Sequence, residues 1–159
     1  MKNFADRFVT TAIKLPGGLE TILLVEDDLA VRELACEILC QSGYVVLPAD
    51  SERQALKAWQ QFGKRIDLLL TDVLIPCRCT GTDLARKFQR TKPKLRVIFM
   101  SGFGPEICAG DPALASGWFL PKPFSPAALL RIVSKCLSGS GTASETYFLT
   151  ESEVSASPR

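Results

Sequence analysis

The chain has no histidine among its 159 residues. Histidine-ligated metal sites, serine–histidine or cysteine–histidine nucleophile pairs and imidazole general bases are therefore excluded from the outset. An excess of one charge is also missing. With 19 basic and 17 acidic side chains the net charge is +2, which gives no bulk reason to expect nucleic acid. No apolar run approaches the roughly 20 residues of a spanning helix. The longest uncharged stretch is Ile38 to Ala49. The N-terminus mixes charges with Phe4, Phe8 and Val9 and lacks an apolar block followed by a small-residue cleavage site, so it does not read as a secretory signal. The expectation is a cytoplasmic protein without membrane insertion. Its length corresponds to one domain with some chain to spare.

Six cysteines are present. The aliphatic content is high enough to build a core without covalent staples, and nothing directs the chain to an oxidising compartment, so they read as mostly reduced. Cys36, Cys40 and Cys136 replace small apolar side chains on helical segments. Cys77 and Cys79 lie in the loop after Asp72, and without histidine they fall short of a four-ligand zinc set.

Between Glu20 and Ser138 strand and helix patterns alternate five times. Thr21–Val25 is a continuous apolar run, followed by Val31, Leu34, Ala35 and Ile38 at helical spacing, with Gly43 as a stop. A second strand is expected over Tyr44–Leu47. Ser51-Glu-Arg-Gln54 then resembles a capping box ahead of Ala55, Leu56, Trp59 and Phe62. A third strand, Ile66–Thr71, runs into Asp72, and the helical residues Leu84, Ala85 and Phe88 follow it. Leu95–Met100 runs into Ser101, and Trp118–Leu120 is a short fifth strand. Ser125-Pro126 opens a last helix carrying Leu129, Ile132, Val133 and Cys136. Strands apolar on both faces, alternating with helices, predict an α/β fold: a parallel sheet covered by helices on both sides. Gly104-Pro105 and Gly110-Asp111-Pro112 interrupt the segment 103–117, so its helix is expected to be short or irregular. Residues 1–19 read as a flexible extension ending in Pro16-Gly17-Gly18, residues 20–138 as the domain, and 139–159 as a disordered Ser/Thr-rich tail. Within that tail Tyr147-Phe148-Leu149 is the one segment suited to docking.

In open α/β sheets, function gathers beyond the carboxyl ends of the strands. Here that rim carries Glu26-Asp27, Asp72, Ser101 and Lys122 in succession. Taken singly, each has an ordinary explanation: a strand-terminal aspartate is commonly a helix cap, an acidic pair on a turn is commonly solvated, and Lys-Pro is commonly a loop. Together they imply a site. Carboxylates about 4 Å apart repel by about 4 kcal/mol per pair at an effective dielectric near 20. A hard cation relieves this, and Mg²⁺ suits a site that supplies few carboxylates and leaves room for water and phosphate oxygens. A carboxylate held against Mg²⁺ and Lys122 can attack phosphorus, with Ser101 bonding a phosphoryl oxygen.

These residues resemble the response-regulator receiver domains of two-component signalling, including those attached to hybrid sensor histidine kinases. Val25-Glu-Asp-Asp28 with Arg32, Leu70-Thr-Asp72-Val-Leu-Ile-Pro76, Phe99-Met-Ser101-Gly102 and Phe119-Leu-Pro-Lys122-Pro-Phe124 carry the likeness, which covers about Glu20 to Leu137. The resemblance implies a flavodoxin-like receiver fold with strand order 2-1-3-4-5. It makes Asp72 the phosphoacceptor, Asp27 a direct Mg²⁺ ligand and Glu26 a ligand through water. The Leu74 backbone carbonyl becomes a further ligand, Ser101 the switch hydroxyl, Phe119 the aromatic rotor and Lys122 the phosphate-binding lysine, with a cis Lys122–Pro123 bond.

The sequence also departs from the family pattern. Cys77-Arg-Cys79-Thr80-Gly81 is one residue longer than the usual loop. Leu74 and Phe103 stand where polar groups often orient the attacking water, so autodephosphorylation is expected to be slow.

The function expected is a phosphoacceptor module that is not an enzyme beyond its own phosphorylation and dephosphorylation. Because the chain has no histidine, the donor must act in trans, as a sensor histidine kinase or histidine phosphotransfer protein. Output is expected through protein contact rather than nucleic acid, and homodimerisation is compatible with it. The alternative is a receiver-like adaptor that binds partners without phosphorylation. An oxidoreductase is disfavoured because no G-x-G-x-x-G follows the first strand, and an aspartate phosphatase because Asp72-Val-Leu74 lacks a second acid.

Overall fold

Strands that are apolar on both sides must be covered twice. The computed structural model, which describes residues 20–75, 79–102, 114 and 117–139, meets that demand with one sheet between two helical layers. In chain order the elements are β1 (Thr21–Val25), α1 (Leu29–Gln41), β2 (Val45–Ala49), α2 (Glu52–Phe62) and β3 (Ile66–Asp72). They continue with α3 (Gly81–Thr91), β4 (Arg96–Ser101), β5 (Trp118–Pro121) and α4 (Pro126–Ser138). All strand pairs are parallel and the order is β2-β1-β3-β4-β5, the fold class expected from the sequence.

Strand alternation divides the core in two. Ile22 and Leu24 face one side with Leu68, Leu70, Ile98 and Met100, under Ala35 and Leu39 of α1 and Leu129 and Val133 of α4. Leu23 and Val25 face the other with Leu69 and Phe99, under Ala55 of α2 and Leu84 and Phe88 of α3. Helix starts are fixed by side chains that accept otherwise orphaned N–H groups. Asp28 takes the Val31 N–H at 2.9 Å and Ser125 the Ala128 N–H at 3.2 Å. At the end of α1, Gly43 supplies a φ of 92° that a residue with a Cβ adopts only under strain.

Two local expectations shift. β2 begins one residue later than the apolar pattern suggests and continues through Pro48 to Ala49. Because β2 is an edge strand, paired only with β1, proline's missing N–H breaks no ladder there. At Ser51 the hydroxyl caps α2, but Gln54 Oε1 accepts from Asp50 N at 3.0 Å rather than from Ser51 N. The expected short helix in 103–117 falls almost wholly outside the described residues, as do Cys77 and the segments 1–19 and 140–159. Among the described residues, Cys36, Cys40, Cys79 and Cys136 are free thiols and no helix is long and apolar enough to cross a membrane.

Phe88 ties α3 to both the sheet and α2. It is buried, and its ring stacks on Trp59 with centroids 4.1 Å apart and planes 9° from parallel. Phe88→Ala is expected to lower unfolding stability by about 3–5 kcal/mol, measured by urea titration.

Candidate functional site

Parallel pairing in register brings the strand ends to a common edge. Val25 lies beside Thr71, Asp72 beside Met100, and Ser101 beside Pro121. Backbone bonds extend that order past the strands. Glu26 N donates to Ala49 O at 3.0 Å, Val73 N to Met100 O at 2.9 Å and Lys122 N to Ser101 O at 2.8 Å. The main chain at Glu26, after Asp72 and between Ser101 and Lys122 is thereby held by the neighbouring strand.

Glu26, Asp27 and Asp72 each contribute a carboxylate oxygen, and the three atoms lie within 4.8 Å of one another. At that spacing and an effective dielectric near 20, each pair repels by about 3–4 kcal/mol. Lys122 offsets part of this. Its Nζ lies 2.5 Å from Asp72 Oδ2 and 2.6 Å from Glu26 Oε2. The Glu26 oxygen in that contact is buried, so the Lys122 ammonium is its charge partner away from water. Glu26 Oε1 accepts from Asp28 N at 3.2 Å. One ammonium among three carboxylates leaves a residual negative charge, so in spacing and charge the three oxygens could hold a single hard cation.

The protonation equilibria follow from this crowding. Burial raises the Glu26 carboxyl above its ordinary range, with the Asp72 charge adding to the rise while Lys122 pulls the other way. Burial by itself would lower the Lys122 ammonium, but the bonds and charges of Asp72 and Glu26 outweigh it and hold the group above its usual value. The Cys79 thiol is pushed up to about 11 by burial and by the nearby Glu52 and Asp83 carboxylates, so it stays protonated at neutral pH and lacks the electropositive surroundings of a reactive cysteine.

Around the acids, two supports fix orientation. Leu74 N donates to Asp72 Oδ1 at 2.9 Å, leaving Oδ2 to Lys122, while the Leu74 side chain is exposed beside the site. Arg32, one turn into α1, donates from Nη1 to Glu26 O at 2.6 Å and to Asp27 O at 3.1 Å, clamping the turn that presents both acids. Ser101 is buried at the end of β4, and Phe119 is half-buried on β5 beside Phe99, packed against the α2–α3 side of the core. The Lys122–Pro123 bond is cis. The structure thus brings Glu26, Asp27, Asp72 and Lys122 into one pocket, with Ser101 and Phe119 on the two neighbouring strands.

The chain belongs to the response regulator receiver domain family, whose model matches residues 22–134. It is 38% identical over 122 residues to the sensor kinase CckA of Brucella abortus, covering 76% of this chain and 13% of that protein. It is 33% identical over 119 residues to the transcriptional regulator NtrC of Azospirillum brasilense, of which it spans 24%. The response regulator receiver protein CpdR of Brucella abortus is 32% identical over 120 residues, covering 75% of this chain and 98% of that protein. Among solved structures, the chemotaxis protein CheY4 of Vibrio cholerae superposes with a TM-score of 0.67 at 25% identity, covering 76% of this chain and 100% of that one.

A support not anticipated from the sequence lies under Asp72. Thr80 and Asp83 form a reciprocal capping box at the start of α3, with Asp83 N donating to Thr80 Oγ1 at 3.2 Å and Thr80 N to Asp83 Oδ2 at 3.1 Å. The T-x-x-D spacing was the available signal. The box seats Gly81 so closely on β3 that a Cβ there would run into the Asp72 carbonyl oxygen. Gly81→Ala is therefore expected to lower stability by about 1–3 kcal/mol in urea titration, although alanine is the better helix former by about 1 kcal/mol.

Proposed function

We propose that this chain is a phosphoacceptor receiver in which Asp72 takes a phosphoryl group from a phosphohistidine on another protein. The observation that carries this reading is the convergence of Glu26, Asp27 and Asp72 with the Lys122 ammonium at the aligned strand ends. The oxygen-only donor set, with three carboxylate oxygens within 4.8 Å of one another, suits Mg²⁺, which Glu26, Asp27, Asp72 and the Leu74 carbonyl would hold. When bound, Mg²⁺ supplies charge neutralisation for the oxygens of the transferring group.

The chain's own residues do the rest. An Asp72 oxygen attacks phosphorus, the P–N bond to the donor imidazole breaks, and an acyl phosphate forms while the imidazole departs with the partner. Lys122 moves from neutralising two carboxylates to binding the phosphoryl oxygens, and the Ser101 hydroxyl bonds one of them. Ser101 and Phe119 then carry the change to the surface by favouring one of two arrangements. The module turns over no separate substrate. Its partners are a sensor histidine kinase or phosphotransfer protein in the cytoplasm, and the likeness to a sensor kinase supports the choice of partner.

Incubation with acetyl phosphate and Mg²⁺ is expected to add the mass of one phosphoryl group to the wild-type protein and none to Asp72→Asn. No adduct on either, together with no binding of beryllofluoride, would overturn the proposal in favour of a phosphorylation-independent adaptor. The exposed Leu74 side chain cannot orient a hydrolytic water. Leu74→Asn with Phe103→Glu is therefore expected to shorten the phosphoryl half-life severalfold, read by the decay of the mass adduct.

A further inference from the structure

At the end of the molecule opposite the acids, the α2–β3 turn and the end of α3 enclose an open groove of about 880 Å³. Trp59 and Phe62 give it an apolar floor. Lys64, Arg65 and Lys92 line it with positive charge, and no acidic residue is among its described lining. The walls are tied together, since Lys92 Nζ donates to Ile66 O at 2.6 Å and to Lys64 O at 3.2 Å while Arg65 N donates to Phe62 O at 2.8 Å. Nothing in the phosphoacceptor reading uses this groove.

Both ends of the domain lead to this side of the sheet. β1 starts here after Glu20, and α4 ends at Ser138, with Gly139 after it near the Arg96 guanidinium, at the first residue of β4. The segments beyond differ in charge. Residues 1–19 carry Lys2, Arg7 and Lys14 against Asp6, the wrong sign for a basic groove. Residues 144–154 read Ser-Glu-Thr-Tyr-Phe-Leu-Thr-Glu-Ser-Glu-Val, with three acids, no base, and an apolar triplet between the acids.

We propose that the segment 144–154 of this chain docks in the groove. Tyr147, Phe148 and Leu149 lie on Trp59 and Phe62, while Glu145, Glu151 and Glu153 face Lys64, Arg65 and Lys92. Reach permits it. The tether of residues 140–146 spans at most about 23–25 Å when extended. The path from Gly139 around the strand ends to the far helical layer is on the order of 20 Å, given strands about 4.8 Å apart and layers about 10 Å apart. Tethering also raises the effective concentration of the segment into a range where a modest apolar contact with charge support suffices.

Trp59 reports directly on occupancy. In the 159-residue chain carrying Trp118→Phe, Trp59 is the sole tryptophan. Its quenching by acrylamide is expected to rise severalfold on adding Tyr147→Ala and Phe148→Ala. Lys64→Glu with Arg65→Glu should expose Trp59 in the same way, and Glu145→Lys, Glu151→Lys and Glu153→Lys added to that pair should protect it again. Equal quenching with and without Tyr147 and Phe148 overturns the proposal. So does protection that depends on protein concentration, which would assign the groove to a second molecule. The test uses no phosphoryl donor, so its outcome is separate from that of the phosphoacceptor reading.

Discussion

Glu26 and Asp72 stand at the ends of adjacent strands, and the parallel sheet that aligns those ends leaves them little freedom to move apart. Their repulsion is a direct consequence of the fold, and the Lys122 ammonium between them is what makes the arrangement tolerable. Other features serve this one contact. The backbone bond from Lys122 to Ser101 aims the lysine, Leu74 N holds the other Asp72 oxygen, and Arg32 fixes the turn behind Glu26. The lysine is shared, so neither acid is fully neutralised. A pocket in that condition is ready for another cation and for an anionic group that competes for the ammonium.

Much of this was legible in the sequence, for a definite reason. Asp72 and Lys122 are 50 residues apart, yet each follows directly on a short apolar run, and a parallel sheet lines up such positions whatever lies between them. The two-sided core was legible too, because Ile22 and Leu24 alternate with Leu23 and Val25 in a strand apolar throughout. Details set by side-chain reach were not. No pattern says that Glu26 is buried while Asp27, its neighbour, is exposed, or that Gln54 bonds Asp50 instead of Ser51. The Thr80–Asp83 box has a readable spacing, but the same spacing is common where no helix begins. The end of β2 was misplaced because proline is a poor strand residue everywhere except at an edge, and the edge is a property of the sheet rather than of the segment.

Family membership and pocket geometry constrain function from different directions. The matches cover most of this chain but small fractions of a sensor kinase and of a transcriptional regulator, so the same module serves proteins with different outputs. The receiver protein CpdR, by contrast, is matched over 98% of its own length. The particular chemistry therefore has to be argued from the acids, the lysine and the absence of histidine, and the output from surfaces remote from them.

Gly81 gives one such surface a mechanical connection to the pocket. With no side chain between them, the first turn of α3 rests on the peptide of Asp72. Close-packed atoms transmit displacement rather than absorbing it, so strand end and helix start behave as one corner. From that corner α3 runs 11 residues, about 16 Å, without proline or an internal break. Its far end, at Thr91, forms part of the rim of the basic groove. A push of a few tenths of an ångström on the main chain at one pole thus has a stiff rod, rather than a hinge, leading to the other.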